Sequence, residues 1–285
     1  MLLVVLVAGA IVFARGLEPW EYMWALSFAI FFGLKWLTLW SVLEAGRGGQ
    51  GKAGVGRSVA YLLLWPGMDA ERFLFGRVVE KPESPDWFWA AIKTCIGAIL
   101  LWFVARRVPE NLPLLRGWIG LLGLIFLIHF GSFDLVAFGW QALGVDAPPI
   151  MQRPVSSTSL SEFWGKRWNL GFRQLSYEFV FRPLRVPLGV AMASMCVFLA
   201  SGLIHDLVIS VPARGGYGLP TGYFVLQGLG VLFERSRAGH GLGVGRGVTG
   251  WIYMALFTAG PAFFLFHPPF VFHVILPFMR AIKAL

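Results

Sequence analysis

Apolar positions in this chain run in long stretches and show no strand-like alternation. About 20 consecutive apolar residues are what a helix needs to cross a bilayer's hydrocarbon core. Residues 22–43 and 87–105 meet that requirement. Apolar segments at 114–130, 188–211, 220–233, 247–266 and 270–279 follow. The opening 1–14 is apolar but short, and lacks the basic flank of a signal peptide, so it reads as a tilted or partial helix. Residues 59–65 are too few to span and stop at Pro66-Gly67, which predicts an interfacial or re-entrant piece. The pattern predicts an all-α polytopic membrane protein. It would have about eight transmembrane helices plus interfacial helices, in a single integral-membrane domain over 1–285.

Polar segments divide these spans. The glycine-rich basic stretch 46–52 lacks the Gly-Lys-Ser/Thr ending of a phosphate-binding loop and reads as a surface loop. Residues 131–144 have the pattern of an amphipathic helix, and Pro148, Pro149 and Pro154 then interrupt the chain. Ser159, three residues before Glu162, matches a capping box. The helix it starts is expected to run through Trp164 and Trp168 towards Tyr177. Lys166, Arg167 and Arg173 place that helix at the membrane surface.

Composition agrees. Of 285 residues, 57% are hydrophobic and 14% charged, against about 25% charged in soluble domains. The net charge of +9 does not imply nucleic-acid binding, because no basic domain stands apart from the apolar spans. It sorts instead by side. The segments 44–86, 131–187 and 234–246 and the C-terminus hold 17 Lys/Arg, and the opposite side holds 5. The basic side should be cytoplasmic. Arg outnumbers Lys 18 to 6 and Asn occurs twice, a bias of GC-rich genomes that leads to the expectation of a bacterial inner membrane. Cys95 and Cys196 lie in apolar spans without disulfide or metal-ligand spacing, and read as small buried hydrophobes.

The candidate chemistry sits in two places. His205 falls late in the 188–211 span, one helical turn after Ser201 and three residues after Gly202. An imidazole at membrane depth is costly and implies function. Burial disfavours its charged form, and the neutral form is what a general base needs. A structural histidine bonding a neighbouring helix is the competing explanation. Asn169 can donate to a developing oxyanion, or can simply cap a helix. Trp164 and Trp168 flank it with Lys166 and Arg167, a basic pair suited to phosphate or to lipid headgroups. Substrate contacts are expected from Lys166, Arg167, Trp164, Trp168 and Ser201. His129, His240, His267 and His273 are scattered, with no His-x-x-x-His box, no aspartate-rich pair for magnesium and no Gly-x-Ser-x-Gly. No metal is expected.

Three stretches resemble the membrane-bound O-acyltransferase superfamily, specifically its wax synthase-like branch. Ser161-Glu162-Phe163-Trp164-Gly165-Lys166-Arg167-Trp168-Asn169 is similar to the family's Phe-Trp-Gly-(Arg/Lys)-Arg-Trp-Asn signature. Ser201-Gly202-Leu203-Ile204-His205-Asp206 resembles its Ser-Gly-Leu-x-His motif, with Asp206 where many members have Glu. Pro220 to Gly228 carries a softer match, ending Phe224-Val225-Leu226-Gln227-Gly228. Asn169 and His205 stand 36 residues apart. The resemblance covers about 130–279. It implies a membrane-bound O-acyltransferase-like helical bundle that acylates an alcohol, with His205 catalytic and Asn169 its companion. It further implies acyl-CoA and a hydrophobic alcohol as partners within the lipid bilayer, acyl-CoA as co-substrate and no resident cofactor. Neither motif bears on oligomeric state. A sterol, terpenoid alcohol, diacylglycerol or sugar is the alternative acceptor. Transport, with His205, Lys35 and Lys93 as an ion path, would call for a repeat symmetry that the sequence lacks.

Overall fold

The computed structural model describes residues 1–44, 54–76 and 79–285; the loop expected over 46–52 lies outside them. The described residues form helices and turns, with no strand among them. In chain order the helices are α1 (Leu2–Phe13), α2 (Pro19–Glu44), α3 (Val55–Leu64), α4 (Ala70–Phe75), α5 (Ser84–Arg107) and α6 (Pro113–Ala142). Then come α7 (Leu160–Glu162), α8 (Leu170–Ala213), α9 (Leu219–Glu234), α10 (Arg237–Gly241), α11 (Gly247–Leu265) and α12 (Pro268–Phe270). Among the described residues α2, α5, α6, α8 and α11 are long and apolar enough to cross a membrane. The protein is a multi-pass, all-α membrane protein. Of the about eight spans expected, the one at 220–233 became the 16-residue α9. The one at 270–279 became short helical turns, Val271–Ile275 and Leu276–Ala281.

Three boundaries differ from the sequence pattern, each for a local reason. The expected span 114–130 and the expected amphipathic helix 131–144 are one continuous helix, α6. Gly131 does not break it: the wide turns of Ile125–Ser132 carry the chain through, and Thr94 of α5 packs where a Gly131 side chain would stand. Conversely, the helix expected from Ser159 to Tyr177 is α7 continued by the wide turns of Phe163–Arg167, and it stops at Trp168, because Asn169 turns left-handed (φ 44°) and starts α8. Within α8, Gly189 has φ 75° and ψ 166°, so the span expected from 188 begins at a true break. Only glycine adopts that geometry without strain.

The chain, expected as a single domain over 1–285, groups into two compact units, Met1–Ile150 with Phe272–Leu285, and Met151–Val271. The first unit closes its intramembrane charges internally. Lys35, fully buried on α2, donates to the carbonyls of Trp65 (3.1 Å) and Gly67 (2.6 Å) and lies 3.3 Å from the Tyr61 ring centre. Lys93 of α5 pairs with Asp134 of α6 at 2.5 Å. The second unit is built on α9, whose buried Tyr223, Phe224, Gln227 and Val231 form its packed face. Tyr223 and Gln227 donate to the Thr258 and Phe257 carbonyls of α11. Gly202 of α8 lets Thr221 of α9 approach: a Cβ there would stand 2.7 Å from the Thr221 Cα.

Candidate functional site

Helix α8 delivers His205 as the last residue before a wide turn, Asp206–Ser210. Its Nδ1 lies 2.7 Å from the Ser201 carbonyl oxygen, one turn back. A carbonyl only accepts, so a neutral ring carries its proton on Nδ1 and keeps the Nε2 lone pair for another partner. Among the described residues nothing hydrogen-bonds to Nε2, and the side chain keeps partial exposure. The Phe224 ring lies 4.4 Å away, centre to centre, and walls one side of the imidazole. Ser201 therefore orients the imidazole through its backbone; its hydroxyl is spent on the Val197 carbonyl at 3.0 Å.

Asn169 stands at the start of α8. Its side-chain oxygen accepts from the Phe172 N–H at 3.2 Å, which satisfies one orphan helix donor. The capping reading of Asn169 is thus realised, yet it uses only the oxygen and leaves the side-chain NH2 to donate. Among the described residues no hydrogen bond joins Asn169 to His205. A run of ring contacts connects them: His205 to Phe224, Phe224 to Trp164 at 5.7 Å, and Trp164 to Trp168 at 6.4 Å, beside Asn169. Trp168 stacks on Phe163 (5.3 Å, 16°), and the Trp164 indole donates to Gln227 at 3.3 Å. The two tryptophans form the wall between the polar positions.

The basic pair divides its tasks. Lys166 is exposed. Arg167 is committed within the chain: it pairs with Glu162 (2.6 Å) and donates to Ser156 Oγ (2.9 Å) and the Gln152 carbonyl (3.3 Å). Ser159 caps Glu162's N–H at 2.9 Å as expected, but Glu162 reaches back to the Thr158 N–H, one residue beyond the usual box. That bond, then Arg167, outweigh desolvation and hold the Glu162 carboxyl below the ordinary glutamate range.

Two carboxylates escaped the sequence reading as structural anchors. Asp206 accepts from the Gly218 N–H (2.8 Å), the Thr221 N–H (3.0 Å), the Thr221 hydroxyl and Ser210 Oγ (2.8 Å). Buried Glu234, near the end of α9, accepts from the Leu160 and Ser161 N–H groups at 2.6 and 3.3 Å. One local signal existed for Asp206: α9 begins Gly218-Leu219-Pro220-Thr221, without a capping side chain of its own. Its orphan N–H groups had to find an acceptor elsewhere. Among the described residues no three His, Cys, Asp or Glu side chains converge as a metal site.

Residues 147–226 match the model of the Membrane bound O-acyl transferase family. The chain is 29% identical over 169 residues to the "Probable long-chain-alcohol O-fatty-acyltransferase 3" of Arabidopsis thaliana, which covers 55% of this chain and 48% of that protein. It is 35% identical over 97 residues to the "Long-chain-alcohol O-fatty-acyltransferase" of Simmondsia chinensis, covering 30% and 27%. Over 76 residues it is 37% identical to the "Probable long-chain-alcohol O-fatty-acyltransferase 9" of Arabidopsis thaliana, covering 24% and 22%. The resemblance to the wax synthase-like branch is borne out, and the family match spans Asn169 and His205. The alignments take in less than half the length of each of these relatives.

Proposed function

We propose that this chain, similar over its motif-bearing segment to the membrane-bound O-acyltransferases, transfers an acyl group from acyl-CoA to a hydrophobic alcohol, with His205 as general base. The observation that carries the reading is the imidazole itself. Its Nδ1 is tied to the Ser201 carbonyl and its Nε2 is left open, inside a segment that matches the family. The alcohol's oxygen attacks the thioester carbonyl as Nε2 takes its proton. The tetrahedral intermediate then expels the CoA sulfur, which recovers the proton from the imidazolium, so ester and free thiol leave and the base is regenerated. Positioned proton transfer contributes about 10²–10⁴-fold. The Asn169 NH2 stabilises the developing oxyanion, a donor whose loss costs about 10²–10³-fold. Holding two apolar substrates together supplies the rest. No resident cofactor or metal enters this scheme.

Trp164 and Trp168 line the path between base and donor, Ser201 orients the base, and Lys166 meets the donor's phosphates from the basic, cytoplasmic side. Arg167 assists by holding the 152–156 segment. The names of the relatives support a long-chain alcohol as acceptor. Another hydroxyl compound is the second reading. The Arg-rich, Asn-poor composition is the support for a bacterial inner membrane; the relatives named above are plant proteins. Incubating purified protein with labelled acyl-CoA and a panel of alcohols, sterols, diacylglycerol and sugars tests the reading. Ester with a long-chain alcohol upholds it, label moving only to another hydroxyl selects the second reading, and no transfer to any acceptor refutes both.

A further inference from the structure

Asp206, Ser210 and His267 lie beside the proposed base but take no part in the acyl-transfer scheme. Every neighbour that bonds to the Asp206 carboxylate is a donor: Ser210 Oγ, the Gly218 and Thr221 N–H groups and the Thr221 hydroxyl. Ser210 is fully buried, and its Oγ lies 3.2 Å from His267 Nε2. His267, fully buried too, accepts the Phe270 N–H on Nδ1 at 3.2 Å and so caps α12. Accepting that N–H requires an unprotonated Nδ1, so the ring is neutral, and burial lowers its pKa in the same direction. With Nδ1 accepting, the proton of a neutral ring sits on Nε2. The bonds therefore run in one direction, from His267 through Ser210 to Asp206.

This is not a nucleophilic triad. A triad needs the imidazole between serine and carboxylate, with the hydroxyl donating to the ring. Here the serine stands in the middle and donates to the carboxylate, and both serine and histidine are shut off from solvent. What the network fixes is position. It clamps the turn that follows His205 to the first turn of α9, and one turn further along α9 stands Phe224, whose ring walls the imidazole. The glycine contact of Gly202 with Thr221 sets the same two helices at close range.

We propose that Asp206, Ser210 and His267 are positioning residues that lock the His205 turn against α9 and so aim its Nε2 at the acceptor hydroxyl. The proposal rests on the reading of His205 as base. A misplacement of about 1 Å can cost about 10²-fold in rate, so the network acts on kcat and leaves substrate binding alone. The test is ester formation by the purified full chain with labelled acyl-CoA and a long-chain alcohol. Asp206→Asn keeps the side chain's shape but turns an NH2 towards donors; its kcat should fall about 10–10²-fold, with both KM values nearly unchanged. Asp206→Glu, which keeps charge and both acceptors, should recover most of that loss. Ser210→Ala should lose several-fold in kcat. Should Asp206→Asn not fold, Ser210→Ala and His267→Asn decide, since the asparagine keeps the α12 cap but cannot reach Ser210; unchanged kcat in both overturns the proposal. His205→Ala separates the two readings. If it is inactive while Asp206→Asn turns over normally, the positioning proposal alone fails. If it is active, the base reading fails and the proposal with it. A parallel rise in both KM values, with no recovery in Asp206→Glu, also overturns the positioning role.

Discussion

Lys35 in the first unit and His205 in the second are both basic side chains on helices long enough to cross the membrane, and the protein treats them in opposite ways. The Lys35 side-chain nitrogen is fully buried, bonded to two carbonyls and laid over a tyrosine ring. The His205 imidazole has one nitrogen bonded to a carbonyl and the other left open. Intramembrane ionisable groups are functional by default, yet that default does not separate these two. Saturation does. A polar group with all its bonds made stabilises, and one held firmly by half of its bonding capacity fits the proposed role of a base.

Replacing each residue should break that comparison in a different observable, and His205 gives the largest effect. His205→Ala should lower ester formation by about 10²–10⁴-fold, with thermal unfolding in detergent close to that of the parent. Lys35→Met should do the reverse. It strands the Trp65 and Gly67 carbonyls, a loss of about 1–3 kcal/mol, which a fall in unfolding temperature would register while kcat per folded molecule holds. A kcat for Lys35→Met as low as that of His205→Ala would dissolve the distinction.

Asn169 comes next. Its left-handed backbone makes glycine the clean substitution, since a glycine N-cap costs only a few tenths of a kcal/mol against asparagine and tolerates φ 44°. Asn169→Gly should still lower kcat, by about 10²–10³-fold if the NH2 serves the oxyanion. If capping were its whole task, Asn169→Gly would turn over nearly as the parent does.

How much of this was legible follows from where each partner lies in the sequence. The spans were readable because twenty apolar residues in a row carry their own instruction. His205 and Asn169 stood out through local motifs, and Ser201 lies one turn from the imidazole it orients. The anchoring roles of Asp206, Glu234 and His267 did not, because each also bonds to backbone or hydroxyl brought in from 12 to 74 residues away by packing. The joining of 114–130 to 131–144 was hidden because Gly131 reads as punctuation while its lack of a side chain is what lets Thr94 pack there. The bonds of Arg167 to Gln152 and Ser156 were hidden because nothing local reveals that its fork closes on the 152–156 segment.

Smaller effects sharpen the division between Lys166 and Arg167. Lys166→Ala should raise the KM for acyl-CoA several-fold at low salt and less at high salt, as for a solvent-exposed charge, with the KM for alcohol unmoved. Arg167→Ala should act on stability and on both KM values together; a rise confined to acyl-CoA would give Arg167 a direct phosphate contact. The smallest effect is a pH dependence. The folded Glu162 carboxyl is held below its ordinary value by the Thr158 N–H and Arg167. Its contribution is therefore complete above about pH 4.3, the unfolded value, and is lost as pH falls through the lower folded value. Hydrogen exchange at Thr158 should quicken over that acid range in the parent. Glu162→Gln keeps an acceptor but no titrating group, so it should lose that acid dependence, and an unchanged pH profile in it would remove the carboxylate from the account.

The most direct test of the open nitrogen is His205→Gln. Glutamine fills the same space and can hydrogen-bond, but it cannot accept and return a proton. In purified, folded protein given labelled acyl-CoA and a long-chain alcohol, His205→Gln should form no ester above the uncatalysed background. Turnover near that of the parent would contradict proton abstraction by His205 and leave that histidine, like Lys35, a structural group.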